Sequence, residues 1–456
     1  MIEKKKIILI FKVVLITFFM TLGVKASNLY SALAEAYEKN PTLKSLRAKL
    51  QASDEDISKI LSQKRPKIDL SAGIGADETT TINTSGVEST KSNKPRNVSV
   101  KISQNIFDSG RTKFALKSAD NNILANRADL SFREQKILLA TVKSYLNLYV
   151  AEENRKLSKN NLIVLQKHLE ATQIRFEVGE VTSTDLSQAE ARFLKAKAKE
   201  IKARGDIEVE RSKYFSIVGK EAPKNLRLPK KYPAVFSTLK DNINYALKNN
   251  PQIIADGFRK KSSYLDISSA TSELLPSIDL NISAQNAWDP NTFFNEYENY
   301  ALDLNIKIPL YKGGENYSDI RKKRKLAIQQ TKNLDVTLRS LVKEIEIAWL
   351  KKKNLEFQIK ALKASVSANK TALNGVREEL EVGSRTTLDV LDAEQELLEE
   401  KLELIVLEKN LILSSFELLD YLGKLNPQDL GLSVSSFDYG KNYKVVKKLW
   451  LGFESN

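Results

Sequence analysis

Between Leu355 and Leu380 the apolar residues recur at intervals of four and three: Leu355, Ile359, Leu362, Val366, Leu373, Val376 and Leu380, with Asn369 on the same seam. The spacing resumes after a Val-Gly pair as Leu388, Leu391, Leu398, Leu402, Ile405, Ile412, Phe416 and Leu419, with Gln395 and Lys409 in register. Sustained 3–4 spacing predicts helices packed along a coiled-coil seam. No helix breaker interrupts the chain for about seventy residues after Gly110 or after Gly314, which at 1.5 Å per residue is about 105 Å of helix. Shorter helices are expected at about 28–64 and 184–218. Four segments alternate with period two instead, at about 66–76, 97–107, 276–285 and 301–310. In the last of these Leu302, Leu304, Ile306 and Ile308 alternate with Asp303, Asn305 and Lys307, and in the first Ile68, Leu70, Ala72 and Ile74 share a face. Such alternation predicts strands with one apolar and one polar face.

These elements occur twice. Ala36-Tyr37-Glu38-Lys39-Asn40-Pro41 returns 210 residues later as Ala246-Leu247-Lys248-Asn249-Asn250-Pro251, and Pro66-Lys67-Ile68-Asp69-Leu70 as Pro276-Ser277-Ile278-Asp279-Leu280. From Ile106-Phe107-Asp108-Ser109-Gly110 and Leu310-Tyr311-Lys312-Gly313-Gly314 onward the offset is 204. It holds through Phe176-Glu177-Val178-Gly179 against Leu380-Glu381-Val382-Gly383, and through Gly219 against Gly423. A constant offset over such distances indicates a tandem duplication. The expected organisation is a first repeat at 27–219, a linker at 220–239 marked by Pro223, Pro229 and Pro233, a second repeat at 240–423, and a tail at 424–456. The linker and tail are expected to belt the helices.

Of 456 residues 42% are hydrophobic and 28% charged, with no Cys and one His, His168. Zero cysteine excludes disulfide scaffolds, zinc ribbons and thiol nucleophiles, and one histidine leaves no His-based metal cluster. His168 reads as packing or surface filler. No phosphate loop, metal-ligand spacing or nucleophile–base pair is present, so neither an enzyme nor a resident metal or cofactor is expected. Residues 1–26 combine Lys4-Lys5-Lys6, a short apolar core and Val24-Lys25-Ala26, the pattern of a secretory signal peptide. An uncleaved anchor helix from Ile7 is the alternative, which Lys12 disfavours. Loss of this segment removes five Lys and one Glu from 72 basic and 57 acidic residues, leaving a net charge of +11. The run Arg321-Lys322-Lys323-Arg324-Lys325 could suggest nucleic acid, but an exported chain and a long helix favour a solvated face. No nucleic-acid partner is expected.

Alternating strands without a second sheet to cover them fit a barrel wall, apolar outside and polar inside. Residues 77–97, rich in Thr, Ser and Asn, read as a solvated loop. Its counterpart carries Trp288, Phe293, Phe294, Tyr297 and Tyr300, either an interfacial girdle or a loop packed on itself. Four strands cannot close a barrel, since roughly eight is the minimum. Two chains would give eight strands and three would give twelve, and the Asp, Asn, Ser and Lys residues on the inner face favour the wider, water-filled option.

Several motifs together resemble the TolC family of outer-membrane efflux channels: Asn40-Pro41, Leu275-Pro276, Pro309-Leu310-Tyr311-Lys312-Gly313-Gly314, Arg175-Phe176 with Val178-Gly179, Val382-Gly383-Ser384-Arg385-Thr386, Leu388-Asp389-Val390-Leu391-Asp392-Ala393, and Leu422-Gly423 with Leu425-Asn426. The resemblance implies a mainly α fold with a small β part. It further implies a homotrimer, with a 12-stranded transmembrane β-barrel in outer-membrane lipid continued by a 12-helix periplasmic α-barrel. The implied function is a passive exit duct for drug efflux or type I secretion. Its implied partners are a periplasmic adaptor and an inner-membrane ABC, RND or MFS transporter. The competing reading is a periplasmic coiled-coil adaptor, which would need only one hairpin.

Both Val-Gly turns, Val178-Gly179 and Val382-Gly383, fall where a long helix reverses. They are expected at the end farthest from the barrel, as adaptor-docking tips. Gly179 and Gly383 suit a left-handed C-cap; Thr184, and Thr386 or Thr387, are candidate N-caps. Asp389 and Asp392, three apart, share a helix face, and in a trimer would ring an aperture with carboxylates that attract cations. By resemblance these two match the family's constriction aspartates. Arg385 matches the arginine tying the inner hairpin to its neighbour, Asp185 matches that arginine's partner, and Leu380 replaces a lock tyrosine. Acidic residues early in a helix can equally serve its dipole. Asp392 argues for more, because the first copy has Gln188 there. The basic tail, Lys444, Lys447 and Lys448, has no assigned role.

Overall fold

A computed structural model describes residues 28–223, 225–229, 235–290 and 295–453. The expected signal peptide, Pro233, Phe293 and Phe294 lie outside the described residues. In chain order the elements are α1 (Asn28–Lys39), α2 (Pro41–Leu61), β1 (Lys67–Ile74), β2 (Asp77–Ile82), β3 (Glu88–Asn93), β4 (Arg96–Phe107), α3 (Arg111–Glu177) and α4 (Ser183–Val218). The series continues with α5 (Leu239–Asn249), α6 (Pro251–Ser272), β5 (Ser277–Trp288), β6 (Glu296–Lys307), α7 (Glu315–Glu381), α8 (Thr387–Leu422) and the short α9 (Lys441–Val446). Both long helices have 67 residues and both returning helices 36, each pair beginning 204 residues apart. Among the described residues no helix is long and apolar enough to cross a membrane.

The chain divides into two compact units. One is drawn from the residues up to Ser45, Ser131–Asn250 and Arg339–Ser436. Its core gathers Leu29, Leu33 and Leu43, Leu138, Tyr145 and Leu146 of α3, Ile207 and Tyr214 of α4, and Phe416 and Leu419 of α8. Phe416 is fully buried, a position where truncation to Ala costs about 3–5 kcal/mol. The Tyr145 hydroxyl stitches the linker onto this core, donating to the Arg227 carbonyl at 3.0 Å and accepting from its amide at 3.1 Å.

The recurring Asn-Pro pair also finds its physical reason here. A single helix is expected at 28–64, but Asn40 interrupts it and Pro41 starts α2. Proline at the first helical position has a suitable φ and lacks an amide that would go unpaired anyway. The Asn40 side chain caps α2 by accepting from Leu43 N at 3.1 Å and donates to the Ile217 carbonyl at 2.7 Å. Asn250 repeats the contact on the Tyr421 carbonyl at 2.9 Å. Each buried asparagine therefore ties the start of its repeat to the end of that repeat's last helix.

The second unit comprises Leu46–Leu130, Pro251–Leu338 and the residues from Phe437 onward. It holds an antiparallel sheet in the order β1-β4-β5-β6. Because paired residues share a face, the register builds continuous apolar rows: Leu70–Val100–Ala284–Tyr300 and Ile68–Ile102–Ile282–Leu302. The opposite face carries Ser71–Ser99–Gln285–Asn299 and Asp69–Lys101–Ser283–Ala301. Leu70, Leu302, Leu304 and Ile306 are all exposed. Trp288 and Tyr300 stand on the apolar face near one end of it, whereas Tyr297, opposite Ala287, points to the other face. These three aromatics lie in strands rather than in a loop packed on itself.

Residues 77–97 are not the irregular loop expected. They contain the β2–β3 hairpin, paired from Asp77↔Asn93 to Ile82↔Glu88. Its pairs are polar, with Thr80 and Thr90 hydroxyls 2.9 Å apart, and the Asn83 side chain closes the turn by accepting from Ser85 and Val87 amides at 3.0 and 2.9 Å. Strand pairing driven by backbone and Thr–Thr contacts leaves no apolar alternation to read.

A charged cavity at the two hairpin turns

The reversal of each long helix is built the same way. Gly179 and Gly383 both adopt φ +79°, the left-handed region that glycine enters without a Cβ penalty. Around them Glu180 N donates to Arg175 O at 2.8 Å and Gly179 N to Phe176 O at 3.0 Å, with Ser384→Glu379 and Gly383→Leu380 as counterparts at 2.9 and 3.0 Å. This paired bonding satisfies the last helical carbonyls. The returning helices then start on capping boxes. Thr182 N donates to Asp185 Oδ2 at 2.9 Å while Thr182 Oγ1 accepts from Asp185 N at 3.3 Å. Thr386 and Asp389 repeat this at 2.8 and 3.3 Å. Of the candidate caps Thr386 serves α8, but Thr182 rather than Thr184 serves α4. The 204 offset aligns Thr182 with Thr386 and is the signal that identifies it.

Asp185 and Asp389 are therefore engaged locally. The Thr386 amide, then its hydroxyl, hold the Asp389 carboxyl below the usual aspartate range. For Asp185 the Thr182 hydroxyl leads and the amide follows. Arg385 Nε pairs with Glu379 Oε2 at 2.8 Å within its own hairpin, which raises the guanidinium above its ordinary value. Arg385 and Asp185 line one cavity of about 730 Å³, yet within the chain each has the different partner just named. Leu380, also on the cavity wall, packs with Leu373, Val390 and Leu397.

Asp392 projects one turn beyond Asp389 and receives Arg192 Nη2 at 2.9 Å. This ion pair joins α4 to α8, a helix from each copy, and Arg192 had no place in the sequence reading. The signal available was charge reversal, since the residue 204 positions on is Glu396. His168 lies on the cavity wall with Arg175 and Arg192, where burial pulls its imidazole below the ordinary value. The turn residues Val178 and Val382 are exposed apolar tips. Among the described residues no group of acidic or His side chains is arranged to hold a metal.

The model of the outer membrane efflux protein family matches residues 32–218 and again 242–424. The chain belongs to that family. Outer membrane efflux protein BepC of Brucella suis is 29% identical over 446 residues, covering 94% of this chain and 92% of the relative. Outer membrane protein TolC of Vibrio cholerae is 28% identical over 439 residues, 93% of this chain and 96% of its own. Among solved structures, the Campylobacter jejuni CmeC outer membrane channel has the same fold, with a TM-score of 0.78 at 18% identity over 92% of this chain and 89% of that one. The protein is thus a TolC-type outer-membrane efflux component rather than an adaptor, and its two family matches coincide with the two repeats of its elements.

Proposed function

We propose that three copies of this chain close a twelve-stranded barrel and form a gated duct through which substrates pass passively out of the cell. The observation that carries this is the sheet β1-β4-β5-β6, which offers an exposed apolar face and leaves β1 and β6 as open edges among the described residues. In lipid an unpaired backbone group costs several kcal/mol, so edges of this length demand partner strands. Three chains supply twelve strands, wide enough for the polar face to line water. Trp288 and Tyr300, on the apolar face, suit the membrane interface.

In this reading the helical hairpins extend into the periplasm. The exposed turns Val178-Gly179 and Val382-Gly383 are offered to a periplasmic adaptor, which links the duct to an inner-membrane ABC, RND or MFS transporter. Asp389 and Asp392, with Arg385 and Asp185, guard the periplasmic aperture, and Leu380 fills the place of a lock tyrosine. The extended organisation follows, with an exported chain, an equatorial linker at 220–239 and a tail at 424–456. Cation preference is the property that tests the reading most directly. The purified protein should run as a trimer in detergent and form cation-selective pores of low conductance in planar bilayers. Asp389→Asn combined with Asp392→Asn should weaken that preference and raise conductance; unchanged selectivity refutes the aperture assignment.

A further inference from the structure

The basic tail plays no part in the duct as described. Residues 442–449 of it are seated in the second unit. Asn442 Nδ2 donates to Asp54 Oδ2 at 3.0 Å, Ser58 Oγ reaches the Val446 and Leu449 carbonyls at 3.4 Å, and Val446 is fully buried. Arg65 then fixes the point where the packing ends. Its Nη1 donates to the Leu449 carbonyl at 2.9 Å, and its guanidinium lies 4.5 Å from the centre of the Trp450 ring. Arg65 stands two residues before β1, whose apolar row opens with Ile68. Beyond that tether Trp450 is 65% exposed, Leu451 90%, and Phe453 wholly so. Lys444, Lys447 and Lys448 are exposed alongside.

We infer that the segment Lys444–Phe453 is an interfacial anchor that docks on the anionic phospholipid surface at the foot of the barrel wall. Three observations choose this occupant. Large exposed apolar side chains clustered together mark an interaction surface, and a Trp flanked by lysines is the composition that settles at a membrane interface. The charge is complementary to anionic headgroups, with Arg65 and Lys67 adding to the three tail lysines. The segment is also tied to the base of a strand whose apolar side chains face lipid in the proposed barrel, so interface and wall are continuous.

The inference rests on the outer-membrane reading, and the test separates the two. The chain has three Trp, at 288, 349 and 450. The full protein carrying Trp288→Phe and Trp349→Phe is reconstituted in phosphatidylcholine vesicles with and without phosphatidylglycerol. Flotation reports insertion, and Trp450 emission reports the tail. Quenching by bromolipid together with protection from aqueous iodide is expected in the vesicles with phosphatidylglycerol. Lys444→Glu, Lys447→Glu and Lys448→Glu together should abolish that quenching, since each basic residue near an anionic surface changes partitioning roughly fivefold. Floating protein whose Trp450 is quenched by iodide alone overturns the anchor and leaves the duct standing. Protection from both quenchers means another subunit covers the tail and also overturns it, while failure to float overturns both readings. Leu451→Cys, in a chain without other cysteine, carries an environment-sensitive dye and gives the same readout with all three Trp in place.

Discussion

Arg192 offers a way to test whether the electrostatics of the proposed aperture are set by pairs rather than by aspartates alone. Its guanidinium meets Asp392 at 2.9 Å, with side chains 33% and 63% exposed. At that separation two unit charges in water attract by about 1.4 kcal/mol, which side-chain entropy and salt reduce to about 0.2–1 kcal/mol for an exposed pair. The bridge is therefore closed most of the time but cheap to open. While closed it cancels much of the field that Asp392 presents to a passing ion. An uncompensated charge about 6 Å from the ion path changes a cation's energy by about 0.7 kcal/mol in water, close to threefold in local occupancy.

The same charge disfavours an anion by an equal factor, so Arg192→Gln should raise the K⁺ over Cl⁻ permeability ratio about tenfold for each chain's charge in 0.1 M salt, and Asp392→Asn should lower it by a similar factor. The double variant, which restores the local charge, should return close to the parent. Reversal potentials across planar bilayers under a salt gradient provide the assay. The differences should shrink at 1 M salt, where the screening length falls from about 10 to about 3 Å. The reasoning fails if Arg192→Gln leaves selectivity untouched, or if the double variant behaves like Asp392→Asn alone.

Three further outcomes follow from the geometry. Asp420 is buried and pairs with the half-exposed Lys136 at 2.6 Å, and burial raises its carboxyl above the aspartate range; Lys136→Met should cost about 3 kcal/mol by stranding a charge, whereas Asp420→Asn should cost about 1 kcal/mol because Lys136 can hydrate. A raised carboxyl stabilises most below its unfolded pKa and loses that contribution as pH rises, so the Lys136→Met deficit in thermal melts should be larger at pH 8 than at pH 5. Thr386→Val removes the α8 cap at a cost of about 1 kcal/mol and should speed proteolytic nicking at the tip, while Thr386→Ser should not. Arg385→Ser breaks the pair with Glu379 and should increase conductance; an unchanged pore would show that Arg385 has no part in closure.

How much of this was legible depended on whether a residue's role repeats. The 210 and 204 offsets together carry both long helices, both Val-Gly turns and the strand faces, because backbone geometry demands the same residue types in each copy. Gly179 and Gly383 are the clearest case: a helix reversing through φ +79° needs glycine wherever it occurs. The β2–β3 hairpin has no counterpart among the described residues of the second copy and no apolar rhythm, so neither signal reached it. Asn40 was visible as a recurring letter, but its bond to the Ile217 carbonyl joins residues 177 positions apart, and spacing alone gives no such distance. Arg192, the partner of Asp392 at the proposed aperture, was hidden for the same reason, lying 200 positions away, whereas Glu379 reaches Arg385 across the turn rather than along a helix.

The differences between the copies carry their own logic. At equivalent positions the first hairpin has Arg175, Val181, Gln188 and Arg192 where the second has Glu379, Arg385, Asp392 and Glu396. Backbone turns and capping boxes are the same in both, so these substitutions do not serve the fold of either tip. Two of the four reverse the charge outright, and each reversal has a visible effect. Arg175 pairs forward with Glu180 in one tip, and Glu379 pairs forward with Arg385 in the other, while Arg192 crosses to Asp392. Duplication of an identical hairpin would set like charges against each other wherever equivalent faces meet. The divergence instead leaves Arg192 of one copy free to pair with Asp392 of the other, an exposed contact weak enough to be remade. The proposed closure, which would open for transport, needs contacts of that order, and a pair whose carboxylate is buried, such as Lys136–Asp420, would hold too firmly for the task.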